Sequence, residues 1–506
     1  VGDNVKKLAQ LFPSAVKDGA VDFEALKEEL GQFEEVGSEK YELTWAGKKN
    51  AKKIAQEDVI GRTLKFIPED SKDADTTENL YIEGDNLEVL KLLRQNYYGA
   101  IKMIYIDPPY NTGNDFVYND SFVMSQEESD VAEKAVDELG ERYTVNKNSQ
   151  NRYHANWLNM MYPRLKIAKD LLCDNGVIFI SIDDNEFDNL TKVCDEIFEP
   201  DNKIGPIIQN KLNAKNDTVD IQKNHEYIVI YRKQRIEKGD TVQATLSREV
   251  AMYRDVFEEN GRYYYINDAI TTRGEGGTLN ARPNLGYTVY YNPVTKEKIG
   301  VVDYDIEQAK ISNDEKLIYT DRTDLIEQGY IAIRPPKVRG NLGCWTWAVE
   351  KFNHESDNII ITGKEGKYAV KKRTFINKDE VVLLHGKFQY ISHSMVNSKS
   401  IIDFSTNEGT NALSELMKKK GIFNNPKNIE MIKYFLDIIN DKNCIVLDFF
   451  SGSSSTADAI MQLNADDSGH RKFVMIQLPE ECEKKSDAYK EGYKNICEVG
   501  KERIRR

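Results

Sequence analysis

With 506 residues, the chain has room for about three domains of ordinary size and a substantial core. Hydrophobic residues at 40% and charged residues at 30% fit a globular protein and exclude a disordered or fibrous one. A net charge of −14 excludes coating of nucleic acid by bulk electrostatics and leaves room only for a local basic cleft.

Other classes fall away on local grounds. No apolar run approaches the length of about eighteen residues needed to span a membrane, and residues 1–7 lack the apolar core of a secretory signal, so a cytoplasmic protein is expected. Cys173, Cys194, Cys344, Cys444, Cys482 and Cys497 form no C-x-x-C pair, which predicts reduced thiols rather than a zinc knuckle or a disulfide framework. No metal site is expected.

In chain order, residues 1–55 predict a helical segment, with Phe23, Leu26, Leu30 and Phe33 at helical spacing behind Asp22 as N-cap. A strand at 80–83 stops at Gly84 and Asp85, and Leu87, Leu90, Leu92 and Leu93 predict the helix that follows. The apolar run 101–106 ends in Asp107-Pro108-Pro109-Tyr110. Beyond a long polar loop come a helix at 157–172 and a strand at 177–182, closed by Asp183 and Asp184, read as a structural strand end. Segment 201–400 differs: runs such as Tyr263-Tyr264-Tyr265-Ile266, broken by Gly, Asn and Pro, predict short antiparallel strands and loops. Acids and bases are roughly balanced over its first two-thirds. Trp345 and Trp347 alternate as core residues do. In segment 401–506, Lys418-Lys419-Lys420 reads as a basic helix C-terminus, a strand at 444–447 runs into Asp448, a helix covers 456–463, and a last strand covers 473–478. Buried strands alternating with helices predict an α/β, Rossmann-like fold with a mostly β or irregular insertion.

The Asp107-Pro108-Pro109-Tyr110 segment lies where an α/β sheet places its ligands, just past the carboxyl end of a strand. Two prolines fix φ and remove two donors, giving a rigid turn that aims a carboxylate and an aromatic ring at one point. An exocyclic amine on a heterocycle is a poor nucleophile because its lone pair is delocalised into the ring. Acceptance of its N–H bonds by Asp107 and the Pro108 carbonyl frees that lone pair, while Tyr110 stacks on the base.

A second strand-end loop, Asp448-Phe449-Phe450-Ser451-Gly452-Ser453-Ser454-Ser455-Thr456, opens a helix. Small residues bring the backbone close to a ligand, and a helix N-terminus offers free N–H groups to a carboxylate. S-adenosylmethionine has the complementary parts, an amino-acid end and an adenine. No G-x-x-x-x-G-K-[ST] nucleotide loop occurs.

Together with Tyr41-Glu-Leu-Thr-Trp-Ala-Gly47, Gly84-Asp85-Asn86-Leu87, Thr112-Gly113 and Phe179-Ile-Ser-Ile-Asp-Asp184, these two loops, in this order, resemble the amino-directed DNA methyltransferases of the permuted β class. Within that class the chain resembles the modification subunits of type III restriction-modification systems. The resemblance implies a methyltransferase domain in two parts, a catalytic half at 56–200 and a cofactor-binding half at 401–506, around a target-recognition region at 201–400. It implies a catalytic loop of Asp107, Pro108, Pro109 and Tyr110. It places S-adenosylmethionine against Asp448, Phe449, Phe450, Ser451, Gly452, Ser453 and Thr456, with Asp107 alongside and Phe423, Pro426 and Lys427 beside the methionine part. Where many relatives carry an acid for the ribose hydroxyls this chain has Gln477, and Asp85 and Asn86 are candidates on the cofactor side of the cleft.

The reaction the resemblance implies is methyl transfer to N6 of an adenine flipped out of double-stranded DNA in the bacterial cytoplasm, at the nucleoid. A homodimer and a helicase-nuclease restriction subunit are the implied partners, and Arg334, Lys337 and Arg339 are candidate DNA contacts. Modification subunits of this kind commonly run on beyond the equivalent of Arg506. The alternatives are a stand-alone adenine or N4-cytosine methyltransferase and a catalytically idle DNA-binding specificity subunit on the same fold.

Overall fold

The computed structural model describes residues 42–112, 150–212, 221–234, 246–272, 274–364 and 366–506, with scattered positions before 42. The helix expected at 22–33 lies almost wholly outside them. The chain divides into two compact units, Val1–Arg248 with Val396–Arg506, and Glu249–Met395.

The main elements of the first unit are α1 (Lys48–Gln56), β1 (Leu80–Glu83), α2 (Asn86–Tyr97), β2 (Ile101–Ile106), α3 (Gln150–Leu171), β3 (Leu172–Ile182), α4 (Phe187–Phe198), β4 (Ile207–Asn210), β5 (His225–Arg232), β6 (Ile401–Asp403), α5 (Thr406–Met417), α6 (Ile429–Ile439), β7 (Ile445–Asp448), α7 (Ser455–Asp467), β8 (Lys472–Gln477) and α8 (Ile496–Arg505). The strands form one eight-stranded sheet in the order β6-β4-β5-β3-β2-β7-β8-β1. Only β5 runs against its neighbours; the other pairings are parallel. This is the expected α/β sheet.

Its strands are apolar on both faces because helices cover both, as parallel sheets require. Successive side chains alternate between the layers. Ile104, Ile106, Ile178 and Ile180 pack with Leu90, Trp157 and Leu165 on one side, while Met103, Tyr105, Val177 and Phe179 pack with Met431, Phe435 and Ala457 on the other. Phe179 and Phe435 stack at 4.9 Å. Burying each such ring contributes about 1.5–3 kcal/mol. The Trp45 segment is tied down on the first side, where Trp45 Nε1 donates to Asn159 Oδ1 at 2.7 Å and Asn159 Nδ2 to the Ala46 carbonyl at 3.0 Å.

β2 and β7 are neighbours, with Val446 opposite Met103 and Leu447 opposite Ile104. Asp107, one residue past β2, and Asp448, the last of β7, therefore open at the same sheet edge. From β2 the chain crosses through α3 to β3 on one side, and from β7 through α7 to β8 on the other. A crevice forms where such connections diverge.

The second unit holds a six-stranded sheet of the order Ile359–Thr362, Ala369–Ile376, Arg262–Ala269, Ser247–Glu259, Lys387–Asn397 and Val381–Leu384, and a three-stranded one. Short helices at Ile306–Ile311 and Val349–His354 join a core of Tyr287, Trp345 and Phe352. Trp345 is buried there, its Nε1 donating to the Tyr287 carbonyl at 2.6 Å, and Trp347 packs against the same cluster.

The boundary drawn at 201 requires correction. β4 and β5 belong to the central sheet, so the inserted unit begins at Glu249, and it ends at Met395 rather than 400. The antiparallel β5 reads locally like the strands of the insertion, yet Ile180 of β3 pairs with its Val229.

Candidate active site

The Asp107-Pro108-Pro109-Tyr110 turn is clamped from two helices. Trp157 Nε1 of α3 donates to the Pro109 carbonyl at 2.7 Å. Asn111, at φ 55°, takes the left-handed backbone that ends the turn, and its amide donates to Glu186 at the head of α4. Asparagine tolerates that conformation better than most residues.

Four charged side chains meet beside the turn. Lys427 Nζ lies 3.1 Å from Asp107 Oδ1 and 2.9 Å from Glu226 Oε2, and sits 4.9 Å over the Tyr110 ring. It also donates to the Tyr110 hydroxyl, which in turn donates to Glu226 Oε2 at 3.0 Å. Lys211 Nζ reaches Glu226 Oε1 at 3.2 Å. Burial pushes the Asp107 carboxyl above the usual range; the Lys427 ammonium opposes this and the Glu226 carboxylate reinforces it. Burial also works to raise Glu226, but the ammonium groups of Lys427 and Lys211 outweigh it and hold that carboxyl low. Two acids and two bases balance in charge, as a part-buried cluster requires.

The second loop is organised by Asp448. Phe450 N donates to its Oδ1 at 3.0 Å and Thr456 Oγ1 to its Oδ2 at 2.6 Å. Gly452 stands at φ 49°, and a Cβ there would lie 3.2 Å from the Phe423 ring, so the glycine lets backbone meet ring. Gln477 Oε1 accepts from Gly452 N at 2.7 Å and its Nε2 donates to the Leu478 carbonyl at 3.2 Å, so the amide braces the loop. From α8, fully buried Arg503 reaches back: Nε donates to Asp458 Oδ2 at 2.9 Å, and one terminal nitrogen to Ser453 Oγ at 3.1 Å and Ser455 Oγ at 2.8 Å.

Both loops line one cavity of about 720 Å³. Its walls include Asp107, Pro108, Pro109, Tyr110, Phe423, Pro426, Lys427, Asp448, Phe450, Ser451, Gly452, Ser453, Thr456 and Gln477 from among the residues picked out in the sequence. Asp85, Asn86 and Phe449 are not among them. Asp85 caps α2 through Glu88 N at 2.9 Å, and Asn86 Nδ2 donates to the Phe449 carbonyl at 2.8 Å, holding the loop from behind. The Phe449 ring is core. Asp183 and Asp184 are not among the residues lining the cavity. Sequence motifs give no sign of Glu226, Lys211, Glu480 or Arg503. The one available signal for Glu226 is an acid near the head of a strand whose middle, Ile228-Val229-Ile230, is apolar.

The model of the family described as DNA methylase matches residues 101–488, which spans both loops and the insertion. The chain belongs to this family. The methylase is 34% identical to the Mod subunit of the type III restriction-modification enzyme EcoPI from Escherichia phage P1, over 99% of this chain and 74% of that protein. It is 32% identical to the EcoP15I Mod subunit from Escherichia coli, over 99% and 75%. The type II methyltransferase M.KpnI from Klebsiella pneumoniae is 29% identical over 84% of this chain and 86% of its own.

The acids of the methylase cavity have a consequence for stability. Burial pushes the Asp448 carboxyl up to about 7, with the Asp107 carboxylate adding to the effect against the Thr456 and Phe450 hydrogen bonds. A carboxyl raised in the folded state binds its proton where the unfolded chain has lost it. Its contribution is therefore full below about pH 4 and disappears as pH rises to about 7. Asp448→Asn cannot ionise, so its melting temperature relative to the unaltered methylase is expected to rise between pH 5 and pH 8; a difference independent of pH contradicts this.

Proposed function

We propose that the chain transfers a methyl group from S-adenosylmethionine to N6 of an adenine flipped out of double-stranded DNA, as the modification subunit of a type III restriction-modification system. The observation that carries this reading is the convergence of the Asp107–Tyr110 and Asp448–Thr456 loops on one cavity of a size suited to a small ligand.

The residues present fit the methyl donor. The close approach of Gly452 to Phe423 leaves backbone rather than side chain facing the cavity, the start of α7 presents N–H groups suited to a carboxylate, and Phe423, Phe450 and Pro426 offer apolar surface. Glu480 lines the same cavity as Gln477, its carboxyl pushed up to about 7 by burial, and the two would be the polar groups available to the ribose hydroxyls. When bound, S-adenosylmethionine supplies an activated methyl group on its sulfonium. Asp107 and the Pro108 carbonyl accept the N–H bonds of the target amine and aim its lone pair at that methyl, and Tyr110 stacks on the base. The protein contributes position and electrostatics, and because the amine of a paired base is inaccessible, the base leaves the stack.

The unit Glu249–Met395 takes target recognition in this account. Arg334 is already engaged by Glu315 at 2.9 Å and by Asp321, which leaves base contacts to other residues of that unit. A restriction subunit with helicase and nuclease activity and a second copy of the chain complete the assembly. Kinship with M.KpnI, a type II methyltransferase matched over most of its length, favours a stand-alone enzyme as the second reading. Copurification with a restriction subunit separates the two. Incubation of the purified chain with mixed-sequence duplex and labelled S-adenosylmethionine, followed by nucleoside mass analysis, is expected to give N6-methyladenine. N4-methylcytosine would correct the base, and bound cofactor without transfer would favour an idle specificity subunit.

A further inference from the structure

Glu226 comes from β5, the single antiparallel strand of the sheet, and has no part in the transfer as described so far. Its side chain is only 10% exposed, and that of Lys427 only 12%. Lys427 Nζ stands 3.1 Å from Asp107 Oδ1, an acceptor that the target amine requires. A neutral amine cannot displace an ammonium from a carboxylate unless the ammonium has another anion to keep. Glu226, 2.9 Å away on the same nitrogen, is that anion. Its position is fixed in turn by the Tyr110 hydroxyl at 3.0 Å and by Lys211 at 3.2 Å.

We infer that Glu226 is a positioning residue for the transfer: it retains the Lys427 ammonium when the incoming amine takes over Asp107. The inference rests on the adenine-methylating reading above. Lys427 is a placeholder on Asp107 before the base arrives, and then keeps its bonds to Glu226 and Tyr110. Without the charge at Glu226, the ammonium has Asp107 as its sole carboxylate partner and holds it closed to substrate. The groups facing this cluster include Asp107, Tyr105 and Tyr110 from β2 and its turn, Glu226 from β5, Lys211 just past β4, Lys427 from the segment before α6, Asp448 at the end of β7 and Asp183 just past β3.

The test is single-turnover methylation of duplex DNA at saturating S-adenosylmethionine. Glu226→Gln is expected to be slower by about 10- to 100-fold, the size of effect for losing a charged hydrogen-bond partner, with cofactor affinity within about threefold of the unaltered enzyme. Glu226→Asp, which keeps the charge, is expected to recover most of the rate. Lys427→Met added to Glu226→Gln is expected to be several-fold faster than Glu226→Gln alone, because the placeholder is gone; a merely structural role predicts a further loss. A double variant no faster than Glu226→Gln, or Glu226→Asp as slow as Glu226→Gln, overturns the inference. If the unaltered chain transfers no methyl group to adenine, the functional reading fails first; if it does, these outcomes count against the role of Glu226 alone.

Discussion

Asp107→Ala is expected to lower methyl transfer by on the order of 100- to 1,000-fold while binding of S-adenosylmethionine and DNA persists, the scale for removing one preorganised polar partner of a transition state. The loss falls on chemistry rather than folding. Lys427 loses one acid but keeps Glu226 at 2.9 Å, so no buried charge is stranded. Burial already disfavours the ionised Asp107 carboxyl, so the folded state gives up little when it goes. Single-turnover rates beside equilibrium binding measure this; parallel loss of rate and cofactor binding would make Asp107 part of the binding wall instead.

Arg503→Met is expected to have the largest effect on stability. The guanidinium is fully buried and joins Asp458 of α7 to the hydroxyls of Ser453 and Ser455, so its removal strands the Asp458 carboxylate, which is itself only 8% exposed. Breaking a buried pair from one side costs about 3–5 kcal/mol. Because Ser453 lines the cavity, cofactor affinity is expected to fall with stability. Arg503→Lys can still reach Asp458 but lacks the fork that bonds both serines, and an intermediate loss is expected. Thermal melting with cofactor titration checks both; an Arg503→Met protein as stable as the unaltered one would contradict the bracing role.

The parts of this site legible in the sequence are those built by consecutive residues. A strand, a carboxylate and two prolines specify the Asp107 turn locally, and a small-residue run before a helix specifies the Asp448 loop, so both appear where they were expected, at the ends of β2 and β7. The groups supplied from far along the chain were not legible. Glu226 meets Tyr110 across a separation of 116 residues, and Arg503 meets Ser453 across 50. Neither belongs to a motif, because its partners are set by sheet order and helix packing. Asp85 and Asn86 show the converse, a polar pair with structural bonds of its own. A polar pair at a strand end has the composition of a ligand site, yet here it caps α2 and ties down the Phe449 carbonyl. The boundary at 201 failed for a related reason, since alternation reveals a strand without saying which sheet it joins.

On the proposed reading, adenine is methylated in the cavity between the β2 and β7 loops. The most direct measurement is a base-resolution map of modified DNA from cells expressing the unaltered chain and, separately, Asp107→Ala. N6-methyladenine is expected in one short sequence context with the unaltered chain and none with the variant. Methylation undiminished in Asp107→Ala, or modification confined to cytosine, would contradict it.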